Sequence, residues 1–431
     1  MTWGLLGPEK IEGTRRARTL GVAAAVREFN DLAVPGLGGV WFGKQLVLAT
    51  LGVLLAEQAV GKRISNITMA NAVEALACGL SLRKVKDGGQ LQDARLRGTT
   101  KLRRKTDFSF KTVRRTGFYV TQPMRMATVQ TLPALGLVTS EASRFNAFSC
   151  TEQGEALIDA ALGKKLVNTL NQWVSGTDRD YGNDLRNALS PLVPMPDAAK
   201  ELILAQLRQG SPHEDASSKA RRRAALDWVE SLREGDTTYP DWDVKPPKLD
   251  PVHWNDLQAG ALFFSTRDTA ISLLDAVETH IARQTVQTLC LAEPVPQHLA
   301  NQIDQLRERA RAYLALGHAQ KEAKIFCSDC LDGDNARVLF KLVERDCRVL
   351  QARTRYVVPG PAFKAQSELV PTTDADIQPD TSVPREASDE TRRWPEGISV
   401  RVNNLFMLNA DLHDDMSRWM KNSPAAEEDQ A

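Results

Sequence analysis

Hydrophobic residues in this chain recur mostly at the three- and four-residue spacing of an α-helix, and alternating runs are few. Residues 46–60, LVLATLGVLLAEQAV, are apolar on almost every side, which predicts a buried helix. Residues 65–82 offer Ser65 or Asn66 as a helix N-cap and then carry apolar residues at helical spacing. The first part of the chain is therefore predicted to be helical.

Most of the remaining chain has the same spacing. Short amphipathic helices are predicted in KKLVNTLNQWVSG, DLRNALSPLVP, MPDAAKELILAQLRQG and EDASSKARRRAALDWVESLREG. Two long helices follow, with one apolar seam at Leu257, Ala261, Phe264, Ile271, Leu274 and Ile281 and the other at Leu299, Ile303, Leu306, Ala310 and Tyr313. RYVVPGPAFKA and ISVRVNNLFMLNA are predicted strands. The predicted fold class is mainly α, with a few short strands.

Residues 118–162 show a different order of elements. A helix is predicted to begin at Thr121, with Pro123 in its first turn, and to end at Gly136. Its buried stripe comprises Val129, Leu132 and Leu135. FNAFSC is a predicted strand, and Thr151 caps the following helix EQGEALIDAAL. This order is typical of a winged helix-turn-helix: a helix with a Gly-Leu-Val exit, a strand, a turn, a second strand and a capped helix.

The segment VTQPMRMATVQTLPALGLV…FNAFSCTEQGEALI resembles the recognition helix and wing of MarR-type winged-helix proteins. The resemblance covers residues 118–162 and includes the Gly-Leu-Val that ends the helix and the Thr-x-x-Gly that closes the wing. It implies a winged helix-turn-helix module in the N-terminal part of the chain. In such a module Gln122, Arg125 and Thr128 would face a DNA major groove, and Arg144 would lie in the wing.

Changes in composition divide the chain into predicted segments. These are an N-terminal helical segment (1–64), the winged-helix module with a basic insertion (65–162), a helical region (163–235), a Pro- and Asp-rich linker (236–252), a helical domain with long antiparallel helices (253–365), a disordered segment or long loop (366–396) and a C-terminal segment with an acidic tail (397–431).

The net charge of +1 predicts no partner by itself, but the charges are unevenly distributed. Residues 83–125 contain thirteen Lys or Arg and three Asp, whereas residues 367–431 contain fourteen acidic and six basic residues. A basic middle and an acidic end indicate interaction surfaces, because each attracts a partner of opposite charge.

The basic region has a physical role beside a helix-turn-helix, because phosphate contacts supply most of the non-specific affinity for DNA. Phe108, Phe110, Phe118 and Tyr119 interleave with its cations. The candidate nucleic-acid-binding residues are Lys101, Arg103, Arg104, Lys105, Lys111, Arg114, Arg115, Gln122, Arg125, Thr128 and Arg144. The competing interpretation is a solvated charged face beside a winged helix that docks on another protein.

Residues 38–45, GGVWFGKQ, contain the G-x-x-x-x-G-K spacing of a phosphate-binding P-loop, with Gly38, Gly43 and Lys44 at its fixed positions. Gln45 stands where the magnesium-binding hydroxyl is required, and Trp41 and Phe42 place bulky rings inside the loop. No hydrophobic strand leads into it. We therefore predict a Gly-rich turn into the buried helix, with no nucleotide bound.

Two further motifs resemble metal sites. Cys327, Cys330, Cys347 and His318 have zinc-ligating side chains, but Cys347 falls on an apolar seam and is predicted to be a buried thiol, which favours free thiols. PDWDVK, residues 240–245, resembles a nuclease signature whose acids must lie on two strands, and its spacing is too short for that hairpin. We predict no catalytic residue, metal or cofactor.

The cellular setting follows from what the sequence lacks. No secretory signal is visible, and the apolar run at residues 46–56 is too short to span a bilayer, so a cytoplasmic location without a membrane partner is expected. The expected function is a non-enzymatic DNA-binding or adaptor subunit of a larger bacterial complex, such as a phage-defence or mobile-element system. Other protein subunits are expected partners, and self-association is left open.

Two alternatives to this function remain open. One is a protein–protein interaction scaffold whose winged helix serves for docking. The other is a metal-dependent enzyme without a recognisable motif.

Overall fold

The structure is a computed structural model of the chain and describes residues 18–59, 61, 63–84, 93–142, 144–176, 181–235, 238–363 and 393–420. These residues are mainly helical with a few short strands. The α-helices are α1 Ala23–Ala33, α2 Gly43–Gln58, α3 Asn66–Lys84, α4 Thr99–Leu102, α5 Phe110–Val113, α6 Thr131–Ala134, α7 Glu152–Ser175, α8 Asn183–Leu189, α9 Asp197–Gln209, α10 Ala216–Glu234, α11 Pro251–Ala282, α12 Gln297–Ala315, α13 Lys321–Asp329, α14 Asn335–Asp346, α15 Val400–Leu412 and α16 Met416–Met420. The strands are β1 Val138–Ser140, β2 Phe148–Cys150, β3 Leu289–Cys290, β4 Leu350–Arg353 and β5 Tyr356–Pro359, and the 3₁₀ helices are η1 Met124–Thr128 and η2 Phe145–Ala147.

The described residues form two compact units. Unit I comprises residues 18–29 and 255–363, and unit II comprises residues 30–254 and 393–420. The change of unit after Trp254 lies two residues beyond the predicted linker. The predicted loop at residues 366–396 lies outside the described residues up to residue 392, as does the end of the predicted acidic tail from residue 421.

Helix α2 is buried along most of its length within unit II. Every residue from Gly43 to Leu55 is buried, which confirms the buried helix expected from the apolar sequence. Gly52 lets α2 approach α3 closely, because a Cβ at this position would lie 2.5 Å from the Cα of Ala70. Burial of this helix on all sides is a major stabilising contribution to unit II.

The N-terminus of α3 is tied to the β1–β2 hairpin. Ser65 is the cap, since its hydroxyl accepts a hydrogen bond of 3.2 Å from the backbone N–H of Thr68. The side-chain amide of Asn66 instead donates to the carbonyls of Phe145 and Phe148, at 3.1 and 2.7 Å. The strands β1 and β2 pair antiparallel, with Val138 opposite Cys150.

The helix predicted to begin at Thr121 is not continuous. The structure has η1 and α6 in its place, and Pro123, not Thr121, occupies the position before η1. The carbonyl of Ala127 accepts a hydrogen bond of 3.0 Å from the N–H of Gly39, so this carbonyl is engaged outside the helix. Tertiary contact therefore overrides the helical pattern here.

Other details of residues 118–162 follow the sequence. Gly136 has a φ of +68°, as expected of a residue that ends a helix. The hydroxyl of Thr151 accepts a hydrogen bond of 3.1 Å from the N–H of Gly154 and so caps α7. FNAFSC is only half strand, because η2 precedes β2. The assignment of the whole segment as a winged helix stays a prediction.

The Gly-rich stretch at residues 34–40 packs on the segment that contains η1 and α6. Gly38 has a φ of +59°, and a Cβ there would lie 2.5 Å from the carbonyl oxygen of Ala127. The hydroxyl of Thr131 donates to the carbonyl of Leu37 at 2.5 Å. Part of the predicted recognition helix is thus covered by this chain's own backbone.

The predicted strand ISVRVNNLFMLNA is wrong, because these residues form α15. Ser399 caps the helix by accepting a hydrogen bond of 3.2 Å from the N–H of Arg401. Alternation of Val400 and Val402 suggests a strand, but the residues buried along α15 continue around the helix. Arg401 donates to the side-chain oxygen of Gln130 at 2.7 Å, which adds a second cover over the η1–α6 segment.

Unit I is built around an aromatic cluster. Phe29 lies 5.3 Å from Phe263 and 6.2 Å from Tyr313, measured between ring centroids. Both predicted seams are buried except for the half-buried Ile271. Strand β5 confirms only the first part of the strand predicted in RYVVPGPAFKA, since it ends at Pro359, and it lies between β3 and β4 in an antiparallel sheet.

Candidate nucleic-acid interface

The basic segment between residues 101 and 118 is anchored by its own hydrophobic residues. These are Leu102, Phe108, Phe110, Val113 and Phe118, all of which are buried. The indole N–H of Trp173 donates to the carbonyl of Phe108 at 2.9 Å, and the Trp173 ring lies 5.1 Å from that of Phe110. Gly79 on α3 leaves room for the Phe108 ring, because a Cβ there would overlap it. The aromatic residues thus hold this segment on unit II.

The cations of the same segment point to solvent. We define the basic face as the exposed residues Arg103, Arg104, Lys105, Lys111, Arg114 and Arg115. Lys101 is half-buried. Two of these cations lie over anchoring rings: Lys105 is 5.4 Å from the Phe118 ring centroid and Arg114 is 5.8 Å from that of Phe110.

One acidic residue, Asp107, lies among these cations in the sequence. Its carboxylate accepts hydrogen bonds from the N–H of Ser109 at 2.8 Å and from the hydroxyl of Thr112 at 2.5 Å. These bonds order the turn that leads into α5. Asp107 therefore has a local structural role, and the positive charge of the basic face is only partly offset.

A shallow hollow of about 400 Å³ lies within the basic face. Its lining residues are Arg104, Lys105, Thr106, Asp107, Thr112, Arg115, Thr116, Gly117 and Phe118. Guanidinium, ammonium and hydroxyl donors of this kind bind phosphate oxygens by charge-assisted hydrogen bonds. The hollow can accept an anionic group that projects from a ligand.

The η1–α6 segment is organised from within by the buried carboxylate of Glu74 on α3. Glu74 accepts hydrogen bonds of 2.7 Å from the N–H of Met124, 3.1 Å from the N–H of Arg125 and 2.7 Å from the hydroxyl of Tyr119. Burial raises the pKa of Glu74, and the three hydrogen bonds oppose that shift. Sequence reasoning missed this residue, although a lone acid in the apolar run AVEALA was a signal.

The side chains expected to face a major groove have intramolecular roles. Thr128 is completely buried, and its hydroxyl donates to the carbonyl of Arg125 at 2.8 Å, so it presents nothing to a ligand. Arg125 is half-buried; its Nε donates to the side-chain oxygen of Asn71 at 2.6 Å, and its guanidinium lies 5.5 Å from the Phe145 ring centroid. Gln122 is also half-buried. Arg144, between β1 and β2, is exposed.

A larger groove of about 1030 Å³ runs beside the β1–β2 hairpin. It is lined by the hairpin, by the end of α6 and by residues 211–214. Glu141 and Glu214 are among its lining residues, and Glu214 is paired with the buried Arg222. Unlike the basic face, this groove has neither Lys nor Arg among its described lining residues, so it does not favour a polyanion.

The P-loop-like residues have structural roles. The N–H of Gly43 donates to a carboxylate oxygen of Asp411 at 2.8 Å, and the side-chain oxygen of Gln45 accepts from the N–H of Trp41 at 2.9 Å. Lys44 is 2% exposed and donates to the carbonyl of Ala188. Burial lowers the pKa of Lys44 to about 8. A protein carboxylate thus already occupies the place at the α2 N-terminus that a phosphate would need.

The four candidate zinc ligands are differently placed. Cys327 and Cys330 are fully buried, and burial raises the pKa of both thiols. Cys347 is exposed, so its predicted burial is wrong; α14 ends at Asp346 and Cys347 turns out of the helix with a φ of +46°. His318 Nε2 lies 3.1 Å from a carboxylate oxygen of Asp256.

No group of three or more His, Cys, Asp or Glu side chains in the described part of the chain is arranged to hold a metal ion. In PDWDVK, Asp241 and Asp243 are exposed, and Lys245 donates to the carbonyls of Pro246 and Leu249. Lys245 therefore orders the local backbone of the segment that was predicted to be a linker.

Comparisons with protein-family models, with curated proteins and with solved structures give no match. Among the described residues, no helix has both the length and the apolar character needed to cross a membrane.

Proposed function

We propose that this chain is a non-enzymatic nucleic-acid-binding or adaptor protein that contacts the phosphate backbone of DNA through the basic face. The observation that carries this proposal is the arrangement of residues 101–118, in which buried aromatic residues anchor the segment that carries six exposed cations. Six cations gathered on one anchored segment can contact several phosphates at once, which favours a polyanion as the partner.

The expected recognition is independent of sequence. Reading of bases requires side chains that reach base edges, and the candidates Arg125 and Thr128 are engaged within the protein. Stacking on bases requires accessible aromatic rings, and Phe108, Phe110 and Phe118 are buried. Phosphate contact remains as the main source of affinity, with Arg144 as an additional contact from the hairpin.

A salt titration tests this proposal. We expect a DNA duplex to bind at low salt, and the logarithm of its affinity to fall against the logarithm of salt concentration by about 0.9 per phosphate contacted. Arg114→Glu combined with Arg115→Glu should abolish binding. Arg223→Glu combined with Lys248→Glu, a matched charge reversal at exposed cations outside the basic face, should retain it. Absence of binding at low salt, or equal loss in both pairs, would contradict the proposal.

A docking role is the second candidate, and the groove beside the β1–β2 hairpin favours it. A groove of about 1030 Å³ with a mixed polar and apolar lining can receive an extended segment of another protein. The adaptor role replaces DNA binding if two results are obtained together: the chain binds no DNA, and Ser140→Trp, which fills the groove, abolishes binding of a partner protein.

A further inference from the structure

We propose that the hollow within the basic face binds the terminal phosphate monoester of a nucleic-acid strand. This rests on the proposed function, because the remainder of the basic face holds the strand whose end enters the hollow. The hollow is thus a site for strand ends within a surface that otherwise contacts internal phosphates.

The charges that line the hollow match a phosphate monoester. Arg104, Lys105 and Arg115 contribute three positive charges and Asp107 one negative charge, a net of +2. By analogy with a phosphorylated side chain, a terminal phosphate carries a charge of about −1.5 to −2 at pH 7, whereas an internal phosphodiester carries about −1. The net charge of the hollow therefore matches the charge of a phosphate monoester more closely than that of an internal phosphodiester.

The shape of the hollow favours a group that projects from its carrier. A terminal phosphate extends beyond the last sugar and presents three acceptor oxygens, while an internal phosphate is flanked by two sugars. Thr106 and Thr116, whose side chains carry hydroxyl donors, line the hollow beside the cations. Gly117, with a φ of +79°, has no atom within 4 Å of where a Cβ would lie, so this turn does not obstruct entry.

One donor of the hollow, Lys105, and its single acid, Asp107, are held in place before a ligand binds. Phe118 is buried beneath Lys105, whose ammonium lies over its ring. The carboxylate of Asp107 accepts hydrogen bonds from Ser109 and Thr112 at the start of α5, and these bonds hold it in place. Such pre-organisation lowers the entropic cost of binding and sharpens selectivity.

The neighbouring cations favour a nucleic acid over a phosphorylated peptide as the carrier of this phosphate. Arg103, Lys111 and Arg114 are exposed on the same basic face but do not line the hollow. They supply contacts for further phosphates along a strand, which a peptide with one phosphoserine lacks. A peptide that bound as tightly would show this assignment to be mistaken.

The test compares duplexes of identical sequence and about 20 base pairs, two turns of B-DNA, that differ only at their ends. One has 5′-phosphates, a second has 3′-phosphates and a third has hydroxyls at both ends. Affinities are measured by fluorescence anisotropy with the full chain at one low salt concentration. We expect at least one phosphorylated duplex to bind about tenfold more tightly than the hydroxyl duplex, as one to three added charge-assisted hydrogen bonds allow.

Two pairs of substitutions locate the effect. Arg104→Gln with Arg115→Gln removes two cations from the hollow and should reduce the tenfold ratio to about one, the value expected when those hydrogen bonds are absent. Lys111→Gln with Arg114→Gln removes two cations outside it, and should weaken all duplexes while preserving the ratio. Circular dichroism and urea denaturation check that both variants remain folded.

The outcomes separate this inference from the proposed function. If all three duplexes bind equally, the hollow does not select ends, but the basic face still binds DNA. If none binds, the proposed function itself fails. If both pairs of substitutions reduce the ratio alike, the end preference arises from total charge and the hollow is not the site.

Discussion

Glu74, within α3, accepts a hydrogen bond of 2.7 Å from the backbone N–H of Met124, the first residue of η1. The same carboxylate accepts from the N–H of Arg125 and from the hydroxyl of Tyr119. Glu74 is only 2% exposed. A single buried carboxylate therefore fixes the start of the segment that the sequence predicts to be a recognition helix.

Replacement of Glu74 by Ala should destabilise unit II strongly. The substitution leaves two backbone N–H groups and a phenol without their acceptor, and each buried unsatisfied group costs about 1–3 kcal/mol. We expect the free energy of unfolding to fall by about 3 kcal/mol, measured by urea denaturation. Glu201→Ala, an exposed acid on α9, is the control and should change it by less than about 0.5 kcal/mol. Equal effects in the two variants would show that the Glu74 bonds contribute little.

The sequence predicted elements well where local pattern and burial agree. The buried helix α2, the seam of α12 and the Thr151 cap follow from spacing and side-chain chemistry alone. The prediction of one continuous helix from Thr121 failed because a distant group competes for the backbone: the N–H of Gly39 donates to the carbonyl of Ala127. The cations of the basic face were predicted as candidates, but the burial of the intervening aromatic rings depends on α3 and α7 and could not be read from local sequence.

Lys44 should add a pH dependence to the free energy of unfolding, and Lys44→Met should remove it. Its pKa is about 8 in the folded chain and about 10.5 when exposed, so between these values the unfolded state binds more protons. The stability of the native sequence relative to Lys44→Met should therefore rise as pH increases from 8 to 10.5. The full change corresponds to about 3 kcal/mol.

Urea denaturation of both proteins at pH 7 and pH 10 measures this difference, because the other titrating groups contribute equally to both. A difference between the two proteins that stays constant with pH would mean that Lys44 titrates normally. Since Asp411 occupies the N-terminus of α2, neither protein is expected to bind ATP.

Gly38→Ala should disrupt the contact between residues 34–40 and the η1–α6 segment. The new Cβ would meet the carbonyl oxygen of Ala127 at 2.5 Å, and the φ of +59° is itself unfavourable for Ala. We expect a loss of about 3 kcal/mol in the free energy of unfolding, from strain added to the conformational cost. Gly176→Ala is the matched control, since it has a φ of +80° but nothing within 4 Å, and it should cost about 1 kcal/mol. Similar costs at both positions would argue against the close contact.

The thiols should differ in reactivity in the order of their exposure. Cys347 is exposed, whereas Cys327 and Cys330 are fully buried, and burial raises the pKa of Cys327 to about 12. An aromatic disulfide reagent should modify Cys347 rapidly in the native protein and the two buried thiols only on unfolding. Mass spectrometry after peptide digestion identifies the modified sites. Rapid modification of Cys327 in the native protein would show that α13 opens readily.

Arg125 and Arg114 should have opposite phenotypes, although the sequence predicts DNA contact for both. Arg125 is bonded to Asn71 and lies over Phe145, so Arg125→Ala should lower the free energy of unfolding by about 1–2 kcal/mol. Because this guanidinium is held within the protein, affinity for a DNA duplex should change by less than about twofold, a fraction of one phosphate contact.

Arg114→Ala should do the reverse. This residue is exposed and the only described contact of its side chain is with the Phe110 ring, so stability should fall by at most about 0.5–1 kcal/mol. The loss of one phosphate contact should weaken duplex binding several-fold and flatten the salt dependence by about 0.9 in the logarithmic slope. Urea denaturation and salt-dependent anisotropy on the two variants measure both quantities. If Arg125→Ala instead reduced affinity and its salt slope at unchanged stability, recognition would pass through the η1–α6 segment, and the basic face would lose its assigned role.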